Sequence, residues 1–156
     1  MKINEANLQI IIKWWSDLQN DFGSRATLKR CKNATSVIFE QSYHDLYRRI
    51  AKTDSVNTEE ANRLAIICGI ISHVTENDVS RKIADQMSSS NNKRVLSDLR
   101  FRRLLEYERN ELYIPMIRIV HMLNKKINLN DLIYDIFYWG DEIRKRWCFD
   151  YYSNLS

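Results

Sequence analysis

The stretch GSRATLKRC, residues 23–31, places three cations, Arg25, Lys29 and Arg30, within six residues, and no acid lies between Asp21 and Glu40 to neutralise them. LRFRRLL, residues 99–105, supplies Arg100, Arg102 and Arg103, and RKRW, residues 144–147, supplies Arg144 and Arg146. Guanidinium and ammonium groups in such sets can hold a phosphate backbone. The first two sets also have a structural explanation. A charged turn is ordinarily solvated, and Arg102 and Glu106 stand at helical pairing distance; Arg48 and Arg49, in the last turn of another helix, are explained by its dipole alone. Arg103 has Tyr107 rather than an acid four residues on.

Other chemistry finds little support. His44, His73 and His121 are far apart in sequence, and none belongs to an HExxH or comparable ligand spacing. His44-Asp45 forms the dipeptide used by helical metal phosphohydrolases, but no histidine precedes it to complete the ligand set. There is no glycine-rich phosphate loop and no GxSxG nucleophile motif. Glu59-Glu60 reads as first-turn acids of a helix. No catalytic, metal-binding or cofactor-binding residues are expected, and the chain is not expected to be an enzyme.

The elements that must position these cations read as helices. With one Pro and three Gly in 156 residues, 44% of them apolar, the chain lacks the turn residues of an all-β fold and has enough apolar surface for a core. Leu8, Ile11, Ile12, Trp15, Leu18 and Phe22 predict a first helix ending at Gly23. Ile10 and Trp14 lie off that stripe, either packed against another part of the fold or left for a partner. Ser24 is expected to cap a short helix through Cys31. A third helix is expected over 36–51, with Phe39, Tyr43, Leu46, Tyr47 and Ile50 inward. Asn57 and Glu60 form a capping-box pattern opening a helix whose apolar run, Leu64 to Ile71, should be the most buried. A further helix is expected over 78–87. SSSNN, residues 88–92, reads as an exposed connector. Beyond it, helices are expected from Ser97, around Pro115, from Asn130 to Trp139, and from Asp141 with Ile143, Trp147 and Tyr151 on one face. The expectation is an all-α bundle of about eight or nine helices in two small subdomains, 1–90 and 91–156, which can pack as one.

Net charge is +4, which permits anionic partners without requiring them. Cys31, Cys68 and Cys148 are widely spaced and read as reduced thiols. The longest apolar run is too short to span a bilayer, and the N-terminus lacks the order of a signal peptide. A cytoplasmic protein with no membrane association is expected.

IKWWSDL followed by GSRATLKR, then LRFRRLL, then YWGDEIRKRWCFDYY resembles, in the same order from Trp14 to Tyr152, the CasB family, the small subunits of the type I-E CRISPR Cascade surveillance complex. The resemblance implies an all-helical, non-catalytic, cytoplasmic subunit present in two copies. Its implied partners are the backbone and large Cascade subunits, guide RNA, the target and displaced DNA strands, and a second copy of itself. Arg25, Lys29 and Arg30 match the family's basic turn, and Arg103 and Arg144 lie in matching basic blocks. Lys29 stands where the family often carries Arg. In RNA-guided systems base pairing reads the sequence and protein holds the backbone, a role suited to arginines spread over several helices. The nucleic-acid-binding candidates are therefore Arg25, Lys29, Arg30, Arg100, Arg102, Arg103, Arg144 and Arg146, and the partner-contact candidates are Ile10 and Trp14. Two other readings of the residues stay open: a helix-turn-helix DNA binder and a purely structural helical adaptor.

Overall fold

Asn57 and Glu60 open the helix around which the others pack. The Asn57 side chain accepts from the Glu60 amide at 2.8 Å, and the Glu60 carboxylate accepts from the Asn57 amide at 3.0 Å. Helix α5 (Thr58–Ile71) follows, and every residue from Leu64 to Ile71 is buried. An all-round apolar helix can be satisfied only when neighbours surround it. Those neighbours are α2 (Phe22–Arg30), α3 (Ala34–Ile38), α4 (Gln41–Ala51), α8 (Tyr113–Met122) and α9 (Leu129–Phe137), while α1 (Glu5–Leu18) packs on α4 and α9. The computed structural model describes residues 1–153, and the last three residues of the expected second subdomain lie outside them. Helices α6 (Ile83–Ser88), α7 (Asp98–Leu105) and α10 (Asp141–Tyr152) complete an all-α architecture of ten α-helices among the described residues. None of these is long and apolar enough to cross a membrane.

Four two-residue strands interrupt the helices. Strands β1 (Glu76–Asn77) and β4 (Lys126–Ile127) pair in parallel, and β2 (Ser89–Ser90) and β3 (Lys93–Arg94) pair antiparallel. The SSSNN connector is thus a hairpin. Asn91 and Asn92 turn it with φ of 52° and 64°, the left-handed pair that a two-residue hairpin loop needs and that Asn tolerates. Buried side chains on both sides of this hairpin belong to one apolar cluster, and α6 packs on α10 across it.

Several local expectations are corrected. Helix α1 stops at Leu18, so Phe22 opens α2 instead of continuing the first stripe and is 78% exposed. Gly23 lies inside α2, and Asp21 rather than Ser24 caps it, accepting from the Ser24 amide at 3.2 Å. The expected third helix is two, α3 and α4, broken at Phe39 and Glu40. Val37 and Tyr43, six residues apart, would face different directions on one continuous helix. The break lets both enter the core and leaves Phe39 outside, at 80% exposure. The helix over 78–87 begins only at Ile83. Pro115 sits in the first turn of α8, where its missing N–H has no intrahelical partner to lose. Asn128, not Asn130, caps α9, accepting from the Asp131 amide at 3.0 Å. Trp14 is 2% exposed and donates its indole N–H to the Ser42 carbonyl at 3.0 Å, so it has no surface to offer a partner. Ile10 is half-buried against the core.

One crossing ties three helices together. The buried Tyr113 ring at the start of α8 lies over Gly69 of α5, and its hydroxyl donates to the carbonyl of Cys31, the C-cap of α2, at 3.0 Å. A Cβ at residue 69 would overlap the Tyr113 ring and hydroxyl. Gly69→Ala is therefore expected to destabilise the protein by about 2–4 kcal/mol, combining overpacking with loss of a buried hydrogen bond. Tyr113→Phe, which removes only that bond, should cost about 1 kcal/mol. Chemical denaturation of both variants checks the difference, and a Gly69→Ala curve superimposed on the wild type would disprove the crossing.

Candidate nucleic-acid interface

The arginines divide into those the fold engages and those it leaves open. Arg144 belongs to the first group. It donates to the Tyr107 carbonyl at 2.9 Å and to Asp141 at 3.2 Å, and its guanidinium lies 5.3 Å from the centre of the Trp139 ring. Arg146 bonds the buried Asp135 carboxylate, which also accepts the Trp147 indole N–H at 2.7 Å. Burial pushes the Asp135 carboxyl up, opposed by these hydrogen bonds and by the Arg146 charge. The RKRW motif thus anchors α10 to the core, and Arg144 and Arg146, expected on a phosphate-binding face, are each paired with an acid of the fold. Arg102 is exposed and faces Asp98 at 4.0 Å, not the expected Glu106.

Arg25, Lys29, Arg30, Arg100 and Arg103 make no ion pair with a described acid. Arg25 donates Nε to the Ser72 carbonyl at the end of α5, at 3.1 Å, which fixes its stem and leaves its two terminal amino groups. Lys29 lies close enough to Arg25 and to Lys125 to feel both charges, and burial followed by these two cations holds its ammonium below the usual lysine range. Like charges gathered without a counter-charge raise each other's cost, and an anion placed among them relieves it. Arg30 is exposed beside them. On the other flank, Arg100 and Arg103, three residues apart on one face of α7, line a groove of about 320 Å³ with Arg118 of α8. No residue lining this groove is acidic.

Helix α8 is common to both sets. It carries Arg118 into the groove, and one turn later His121, whose ring nitrogen lies 3.2 Å from that of His73 after α5. It then leads to Asn124 and Lys125, which turn with φ of 57° and 64°. Sequence reasoning does not single out Arg118, Lys125 or the two histidines as a group. The only signal for them is Arg118 and His121 at helical spacing, close before NKK. Elsewhere His44 is exposed and bonds the Ile38 carbonyl at 2.7 Å, while Asp45 pairs with Arg49 at 2.9 Å. Among the described residues no three His, Cys, Asp or Glu side chains converge as a metal site would require. All three cysteines are free, Cys31 and Cys68 being buried.

The family model for CRISPR-associated protein Cse2 matches residues 24–152, and the chain belongs to that family. Its fold resembles the crystal structure of CasB from Thermus thermophilus, at 19% identity and TM-score 0.70, over 98% of this chain and 99% of that one. It also resembles a chain in the crystal structure of Escherichia coli Cascade bound to a PAM-containing double-stranded DNA target. That match has 13% identity and TM-score 0.67, over 98% of this chain and 96% of that one. No curated protein sequence gives a significant match.

Two consequences separate structural from open charges. Arg146→Ala is expected to destabilise the fold by about 3 kcal/mol or more, because it leaves a buried carboxylate unpaired. Arg103→Ala should stay within about 0.5 kcal/mol of wild type. The opposite order in urea denaturation would contradict the division. His73 is 7% exposed, and its pKa is held down to about 4 by burial, His121 and the nearby cations. The unfolded chain, at the ordinary value near 6.5, therefore takes up a proton first. Stability contributed by neutral His73 is complete above pH 6.5 and is lost as pH falls towards 4, by up to about 3 kcal/mol. A His73→Gln variant should lose less stability than wild type across that window.

Proposed function

We propose that this chain is a non-catalytic subunit of an RNA-guided interference complex of the Cascade kind. In this reading it holds the sugar-phosphate backbone of guide, target or displaced strand without reading sequence. The observation that supports it best is the set of cations that pair with no described acid: Arg25 and Lys29 on α2, the latter within reach of the Lys125 charge, and Arg100 and Arg103 on α7, sharing a groove with Arg118 of α8. Membership of the Cse2 family and a fold shared with a chain of DNA-bound Cascade support the setting.

The mechanism needs no active site. Base pairing between guide and target supplies specificity, while the displaced strand, left without a partner, must be kept from re-annealing. A line of cations on rigid helices does this by neutralising phosphates and releasing their counterions. Arg30 lies beside the line and contributes to its field. The partners in this reading are the backbone and large subunits of the complex, guide RNA, both DNA strands and a second copy of this chain. Net charge is only +4, so the isolated chain binds nucleic acid weakly and acts within the assembly.

A quadruple variant, Lys29→Ala, Arg103→Ala, Arg118→Ala and Lys125→Ala, should weaken single-stranded DNA binding alike for every base sequence. It should also flatten the dependence of log affinity on log salt by about 0.7 for each phosphate that is no longer neutralised. Lys13→Ala with Lys145→Ala, which removes two exposed lysines paired to Asp17 and Glu142, should leave the slope unchanged. Equal slopes for wild type and the quadruple variant would defeat the proposal.

A further inference from the structure

The groove between α7 and α8 is more than a row of charges. Arg100, Arg103 and Arg118 stand among apolar neighbours: Tyr107, Pro115, Ile119 and Met122 line the same space, with Leu104 from α7. Its volume of about 320 Å³ lies at the lower end of the range for small-molecule sites and is enough for a nucleobase. Met122 keeps 37% of its surface exposed, so part of the apolar lining is reachable from solvent. A site for phosphate alone needs cations and no apolar lining. A site for a protein side chain needs no three unpaired arginines.

We propose that this groove receives one unpaired base of the bound strand, its ring against the apolar lining and its flanking phosphates on Arg100, Arg103 and Arg118. The inference rests on the backbone-binding reading above and adds to it a preference for single strands. A duplex keeps its bases stacked and paired, whereas a displaced strand can turn one aside at little cost. Guanidinium planes also stack on bases, so an arginine at the rim can cover the base's second face. Nothing in the groove is arranged to distinguish one base edge from another, so every base should enter.

The test compares full-length protein binding to a fluorescent 15-residue oligothymidylate and to the same backbone carrying abasic sites throughout, at low salt. Wild type is expected to bind the base-bearing strand at least about fivefold more tightly, the span of a single base-stacking contact being about 5-fold to 150-fold. Met122→Ala should shrink that ratio and leave the salt slope unchanged. Arg118→Ala should weaken both strands and flatten the slope. Equal affinity of wild type for the two strands, with Arg118→Ala still weakening both, overturns the base site and leaves backbone binding standing. An Arg118→Ala variant that binds both strands like wild type overturns the base site and counts against backbone binding through this helix as well.

Discussion

The Tyr113 side chain can lie across α5 only because residue 69 has no Cβ. Through that gap its hydroxyl reaches the Cys31 carbonyl, so the start of α8 and the end of α2 are tied together over one buried helix. Further links between these helices are made at the end of α5. Arg25 bonds the Ser72 carbonyl, and His73 meets His121. Glycine inside a helix ordinarily costs stability relative to alanine. Here the cost is offset by a contact that sets the register of three elements at once. The positions of Lys29, Arg118 and Lys125 relative to one another follow from it.

The fold also decides which cations remain available. Arg63 and Arg109 donate to carbonyls at the C-terminal end of α9, Arg63 to Phe137 at 3.1 Å and Arg109 to Ile136 at 2.9 Å and Trp139 at 3.1 Å. Carbonyls there have no intrahelical donor, and a cation suits the helix dipole. Arg144 and Arg146 fasten α10 in the same direct way. These arginines are structural, and removing one takes a charged donor away from a carbonyl or carboxylate of the fold. Apart from Arg25, which bonds the Ser72 carbonyl, the unpaired cations of α2, α7 and α8 carry no such duty, so they can be altered by selection or mutation without unfolding the chain. Stability and proposed binding are thereby assigned to different residues of one type.

This division explains what was legible in the sequence. Helical class, the Asn57–Glu60 cap, the buried run from Leu64 to Ile71 and the Ile143–Trp147–Tyr151 face all depend on local spacing, and each was readable. Phe22 and Phe39 mislead because both fall at helix breaks, where an apolar residue continues a periodic pattern that the backbone has already left. The site was only half legible. Arg25, Lys29 and the Arg100–Arg103 pair announce themselves as clusters, but so do Arg144 and Arg146, and clustering does not reveal whether an acid waits across the core. Asp135, eleven residues before Arg146, is the acid that waits there. Lys125 and Arg118 are single charges in sequence and join the others only through the crossing at Gly69.

Chemical footprinting of lysines tests the central claim, that α2 and the turn after α8 present one face to a strand, most directly. Lys29 and Lys125 should lose reactivity toward an acetylating reagent together when the protein is saturated with single-stranded DNA. Lys13 and Lys145, about 70% exposed and paired on other helices, should react as before. Protection of Lys145 with Lys29 and Lys125 still fully reactive would contradict the account.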